Sequence, residues 1–387
     1  MKRLAIFLIP VLLLLGSAFQ KKPMKELTQE EKSELVQYLK THWKSPEDYV
    51  VSKFEEFDIV FIGEYHRIKH DVELIHNLIP HLYKIGVHNL GIEFGCYEYQ
   101  DKADNLVTAR EYDEDLARWL MFKSFVAWGY KEYMDIYRKA WELNQSLPED
   151  APKFRVVNLS YRADWTFRKE EMTQELWDKV WHKGDPDEHM GNVILKEFVE
   201  KNKKALIYSG SHHAFTHYYQ PIYDFENQKL IRFNKNRMGN IVHHKIPEKV
   251  FNIFLHSPWS TIKSFDEHSY PVDGVIDRVM MEFPEKRVGF DVKDSPFGKL
   301  GDEDTYYSAG YDNFTLSSFC DGYIFQKHFS DYEGCTVDEA FITEKNIKEA
   351  IAYMPNPKAR KFLTTPEAFI KAMKNDADMK RRFRDLE

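Results

Sequence analysis

Residues 58–94 run strand, helix, strand, and this order restricts the chain to an α/β fold. Residues 58–62 (Asp-Ile-Val-Phe-Ile) are a short apolar run that ends at Gly63. Over 68–85, Val72, Leu74, Ile75, Leu78, Ile79 and Leu82 recur at helical spacing and make one apolar face. Residues 87–94 form a second strand. A helical crossover of this kind predicts parallel strands. In open sheets of such strands the ligand site lies at their C-terminal ends.

The same pattern continues downstream. Residues 154–159 and 205–208 are further strands, with a helix over 187–200 between them. In the second half, 250–255, 288–292 and 323–325 are strands, separated by Gly-, Pro- and Asp-rich loops such as 294–298. Residues 111–147 carry Trp119, Phe122, Phe125, Trp128, Tyr130, Tyr133 and Tyr137 at helical spacing. This insertion either packs a small core of its own or covers the site as a lid with stacking surface. From 344 the chain is helical and ends in Lys380, Arg381, Arg382 and Arg384, a run that reads as a solvated helix face. The expected fold is therefore α/β: a mostly parallel central sheet flanked by helices, with a helical insertion after the second strand and a helical C-terminal tail. Its parts are an N-terminal helical segment (19–52), an α/β domain (53–343, with the insertion at 111–147) and the tail (344–387). In the first part, Thr28 is the expected helix N-cap, with Glu31 three residues on, and the segment is expected on the surface of the α/β domain.

The first eighteen residues read as an export signal. Lys2 and Arg3 precede an apolar stretch at 4–15, too short for a comfortable membrane span, and Gly16-Ser17-Ala18 offers a cleavage site after Ala18. The expectation is a chain exported to the periplasm or the cell exterior of a bacterium, with no stable transmembrane span once the signal is removed. An exported chain would allow Cys320 to pair with Cys335, leaving Cys96 alone. The net charge of −8 provides no basic field for nucleic acid, so the expected partner is a small-molecule or peptide substrate.

Chemistry concentrates at the strand ends. Glu64 and His66 follow the first strand, two residues apart, and on a continued strand they point the same way. Gly63 is expected to let the chain turn there. A carboxylate beside an imidazole orients the ring and raises its basicity, which suits a general base and suits metal ligation equally. Glu93 ends the second strand, and its burial would require a partner. It is expected beside Glu64 and His66, because the two strands share one strand–helix–strand unit. His212 and His213 follow the fourth strand after Gly210; neighbouring side chains face opposite ways, and His212 is the one expected in the site. His213, Tyr161 and Arg162 are expected to line the mouth and bind substrate, with Asp164 nearby, and His70 and Asp71 to support His66. His243-His244 reads as incidental. No Gly-x-Ser-x-Gly elbow and no phosphate-binding glycine loop is present.

The series Ile62-Gly63-Glu64-Tyr65-His66, Ile92-Glu93, Asp187-Glu188-His189-Met190-Gly191-Asn192 and Tyr208-Ser209-Gly210-Ser211-His212 resembles, in order and spacing, the erythromycin esterase, ChaN-like and Tiki superfamily over residues 55–330. Pro186 and Gly191 stand where the esterase branch often has Arg and Ala. The resemblance implies that His66 activates water, that Glu93 supports it, and that His212 holds the substrate or the water. The Tiki branch implies a divalent metal (Mn, Co or Zn), for which His66, His212 and Glu93 are the ligands to expect. The expected activity is hydrolysis of an ester or amide. The ChaN-like branch implies the alternative, haem or iron binding without turnover. A third expectation, a scaffold without catalysis, requires a site closed or filled by side chains.

Overall fold

A computed structural model describes residues 23–384 and 386. The export signal lies outside the described residues. Among these residues no helix is long and apolar enough to cross a membrane.

The strands, in chain order, are β1 (Ile59–Glu64), β2 (Asn89–Cys96), β3 (Arg155–Ser160), β4 (Ala205–Gly210), β5 (Gln220–Asp224), β6 (Lys229–Asn234), β7 (Val250–Leu255), β8 (Trp259–Ser260), β9 (His268–Ser269), β10 (Val288–Asp291) and β11 (Gly322–Phe325). Seven of them form one sheet in the order β10-β11-β7-β1-β4-β2-β3. Its pairs are parallel except β10 with β11, which is antiparallel. The antiparallel β5–β6 pair and the short β8–β9 pair stand apart from this sheet. The sheet is mixed α/β and mostly parallel, as expected.

β1 is buried along its whole length. Its side chains alternate between two cores, one on each face of the sheet. Val60 and Ile62 join the helices Lys69–Lys84, Gln100–Thr108, Glu114–Ser124 and Lys131–Ser146. Ile59 and Phe61 join the face covered by Gln29–His42, Pro186–Ile194, Met238–Lys245 and Val275–Met280. Burial on both faces explains the unbroken apolar runs of the central strands. The N-terminal helix starts with the expected capping box, Thr28 and Glu31 bonding reciprocally. The helix that follows it, Pro46–Lys53, puts Tyr49 and Val50 into the first of these cores.

Several expectations change. β1 and β2 are parallel but not adjacent: β4 lies between them and pairs with both. Gly63 does not turn the chain. It is an extended strand residue, and a Cβ there would lie 3.0 Å from the Phe254 ring and 3.0 Å from the Ser211 backbone, so close packing explains it. The turn comes at Arg67, a non-glycine residue with φ of 75°. The insertion is two helices interrupted at 125–130, and Tyr130, Tyr133 and Tyr137 are fully buried in the main core rather than in a separate one. Cys320 and Cys335 are free thiols. They cannot pair, because they belong to the two cores on opposite faces of the sheet. The basic tail is not wholly solvated either. The Arg382 guanidinium sits 4.7 Å from the Tyr65 ring and donates to the His66 carbonyl at 3.2 Å.

Candidate active site

Beyond Ile92 and Tyr208 the β2 and β4 strands stop pairing, while β1 and β4 stay in register as far as Glu64 and Gly210. Past Ile92 the register of β2 with β3 also shifts, and a gap is left between β2 and β4. Glu93 fills it. Its Oε2 accepts the Gly210 backbone N–H at 2.7 Å. Gly210 is required by close approach: a Cβ there would stand 2.6 Å from His66 Cε1, 2.8 Å from His66 Nε2 and 3.4 Å from Glu93 Oε2. The strand between β1 and β2 therefore has no side chain at the point where His66 and Glu93 converge. Glu93 approaches His66 across β4, not by strand adjacency.

Glu64 is 1% exposed. Its Oε1 lies 2.7 Å from His66 Nδ1 and accepts the Tyr133 hydroxyl at 2.6 Å. Its Oε2 accepts the Tyr208 hydroxyl. Burial, reinforced by the Glu64 charge, pushes both phenols well above their usual range, so each stays a proton donor. A buried carboxylate needs such donors. The His66 side chain is 33% exposed, with its ring edge-on to Trp128 at 5.0 Å and to Phe94 at 5.7 Å.

His213 forms a second cluster. Its Nδ1 lies 2.6 Å from Asp187 Oδ1 and its Nε2 lies 3.3 Å from Glu93 Oε1. Burial opposes charge on this ring, but the two carboxylates outweigh it and push its pKa up to about 10. Burial likewise opposes charge on Glu93, and His213, His66 and the Gly210 N–H bring it down to about 2. The Asp187 carboxyl is held far below the ordinary range against its burial, by His213 and Arg237. Arg237 donates to Asp187 Oδ2 at 2.8 Å and to Gln220 Oε1 at 2.8 Å. Asp187 also accepts the Met238 N–H at 2.9 Å, which ties the start of one helix to another.

His212 faces a different environment. Its Nε2 is 3.1 Å from the Tyr307 hydroxyl and 3.4 Å from that of Tyr306, and its ring stacks near Phe215. Burial first, then the charges of Arg237, His213 and His66, hold its pKa well below the usual histidine range. It is a neutral imidazole beside the site, and His213 is the one that contacts Glu93.

Other expected members lie elsewhere. Arg162 pairs with Glu349 at 2.7 Å and stacks on Tyr353 at 3.7 Å. The Tyr161 hydroxyl donates to the Gly184 carbonyl at 2.5 Å. Asp164 caps its own turn through Thr166. His70 and Asp71 are buried 3.5 Å apart, and burial drives the His70 pKa down to about 3. None of these contacts reaches His66.

The metal reading does not fit. Among the described residues no group of three or more His, Cys, Asp or Glu side chains is arranged to hold a metal ion. His66 and Glu93 meet over Gly210, but Glu93 is engaged by Gly210 and His213, and His212 by two tyrosines, so the three do not form one open ligand set. The tyrosines here are also engaged, Tyr133 and Tyr208 with Glu64 and Tyr65 with His268 at 3.0 Å.

Four groups escaped the sequence reading: Tyr133, Arg237, Gln220 and the Tyr306–Tyr307 pair. Tyr133 looked like one more core ring at helical spacing. Arg237 lies beyond the β5–β6 hairpin, and no local pattern links it to Asp187. Asp187 itself offered a signal, an acid just after Pro186 at a helix start.

No protein-family model matches the chain, and no curated protein matches it. Among solved structures it is similar to a succinoglycan biosynthesis protein, at 10% identity and a TM-score of 0.54, over 78% of this chain and 98% of that one. It is also similar to an erythromycin esterase mutant in its open conformation, at 10% identity and a TM-score of 0.48, over 72% of this chain and 92% of that one. A further likeness is to the haem-bound ChaN of Campylobacter jejuni, at 14% identity and a TM-score of 0.34, over 57% of this chain and 90% of that one. The first of these likenesses is of fold alone.

Proposed function

We propose that the chain is an exported hydrolase that cleaves an ester or amide of a small molecule or peptide, with His66 as the general base. One observation carries this reading: a fully buried carboxylate, Glu64, holds Nδ1 of a partly exposed imidazole at 2.7 Å, while the Nε2 edge lies over the bare backbone of Gly210. With its proton held on Nδ1, the ring offers a lone pair at Nε2. A water O–H gives its proton to Nε2 as the oxygen bonds to the carbonyl carbon. The imidazolium then returns that proton to the departing alcohol or amine as the C–O or C–N bond breaks. Glu64 stabilises the transient imidazolium. Glu93, held by Gly210 and His213, fixes the floor beneath the ring.

The test is a screen of the full chain against ester and amide substrates, with His66→Ala as the paired control. The wild type is expected to turn over at least one class, and the variant to lose roughly 10²- to 10⁴-fold in kcat/KM. Full activity in His66→Ala would refute the mechanism.

A further inference from the structure

We propose that Tyr133, on the inserted helix Lys131–Ser146, is the positioning residue of the Glu64–His66 pair, because its one hydroxyl joins the Glu64 carboxylate to the backbone turn behind His66. The role rests on the reading of His66 as the base. The hydroxyl donates to Glu64 Oε1 at 2.6 Å and accepts the Arg67 N–H at 2.9 Å. Oε1 is also the oxygen facing His66 Nδ1. A movement of this oxygen therefore moves the ring.

Arg67 needs the second bond. A non-glycine residue at φ 75° is strained, and the surroundings must hold it there. Tyr133 holds its N–H, the Cys335 N–H holds its carbonyl at 2.9 Å, and the Tyr130 hydroxyl accepts its Nε at 2.9 Å. Its guanidinium covers the Trp128 ring at 4.4 Å, and that ring borders His66. Tyr208 differs in kind: its hydroxyl touches only Oε2 of the same carboxylate and no part of the turn. The two phenols are thus an internal comparison, both donating to Glu64 and only one fixing the loop.

A merely space-filling tyrosine would not set the tautomer of His66, and this supplies the test. The full chain is labelled with ¹⁵N-histidine, and the His66 signals are assigned by their loss in His66→Ala. In the wild type the neutral ring is expected to carry its proton on Nδ1. Tyr133→Phe keeps the ring and removes the hydroxyl; it is expected to populate the Nε2–H form and to expose the Arg67 N–H to hydrogen exchange. Tyr208→Phe is expected to keep the Nδ1–H form and a protected Arg67 N–H. A wild-type tautomer and a protected Arg67 N–H in Tyr133→Phe would overturn the proposal, as would an equal loss of both in Tyr208→Phe. If the Phe variant does not fold, 3-fluorotyrosine at 133 keeps the ring and strengthens the donor. The His66 Nδ1 signal is then expected to move, and an unmoved signal overturns the proposal. On a cleaved substrate, Tyr133→Phe is expected to lower kcat roughly tenfold with KM unchanged; a change in KM alone overturns the proposal. The magnetic resonance result does not depend on turnover, so failure of the positioning role stays distinct from failure of the base.

Discussion

Two carboxylate–imidazole pairs meet around Gly210, built from the same residue types and serving different ends. In Glu64–His66 the carboxylate is buried among neutral donors, and the ring is 33% exposed at the mouth. In Glu93–His213 the ring lies between two carboxylates, with Arg237 behind one of them, and is 22% exposed. Losing a proton from His213 would leave Glu93 and Asp187 facing each other without a cation between them. The first pair is arranged for proton transfer and the second for a permanent charge. Environment, not residue type, assigns the role.

The comparison breaks most sharply in the rate. His66→Ala is expected to lose roughly 10²- to 10⁴-fold in kcat/KM while its unfolding midpoint in urea stays close to wild type. Asp187→Asn is expected to do the reverse, lowering the unfolding free energy by about 3–5 kcal/mol because Arg237 loses its carboxylate partner and His213 keeps only Glu93. A denaturant titration checks this; a drop below 1 kcal/mol would make the second pair ornamental. Gly210→Ala tests the point where the pairs meet. The added methyl collides with the His66 ring, so a stability loss of about 1–3 kcal/mol is expected together with a displaced ring, seen in its ¹⁵N signals.

The smallest effect per step is that of pH. The pKa of His213 is raised in the folded state to about 10, so its stabilisation is complete below the unfolded value and is lost as pH rises through about 10. At most about 1.4 kcal/mol should disappear per pH unit above neutrality. Glu93 is lowered to about 2, so its share is present above the ordinary carboxyl range and is lost as pH falls through about 2. His213→Gln should flatten the alkaline limb. An unchanged limb in thermal melts between pH 7 and 10 would refute the assignment.

The central strands were legible because burial on both faces leaves unbroken apolar runs; β7 lies at the 250–255 read from sequence, and β1 differs by little more than its last two residues. The short pairs β5–β6 and β8–β9 were not, since partly polar strands resemble the loops around them. Strand order was beyond reach: no local pattern states that β4 inserts between β1 and β2. The site was half legible. Glu64, His66 and Glu93 were placed at one mouth by their strand-end positions, although for Glu93 the reason was wrong. Between His212 and His213, alternation on an extended strand gave no criterion, because both follow the end of β4. Arg162 failed because a distant carboxylate, Glu349, claims it.

The insertion of β4 also affects how the molecule is made. β1 pairs with partners about 150 and 190 residues further along the chain. A chain that has emerged only as far as β3 has an open slot at the sheet centre, with the facing edges of β1 and β2 unpaired. Such edges invite pairing with other chains, and contacts so distant in sequence form late and slowly. The mouth that gathers Glu64, His66 and Glu93 around Gly210 therefore cannot exist in a partial product of synthesis. Assembly of the site and closure of the gap between β1 and β2 both wait for β4.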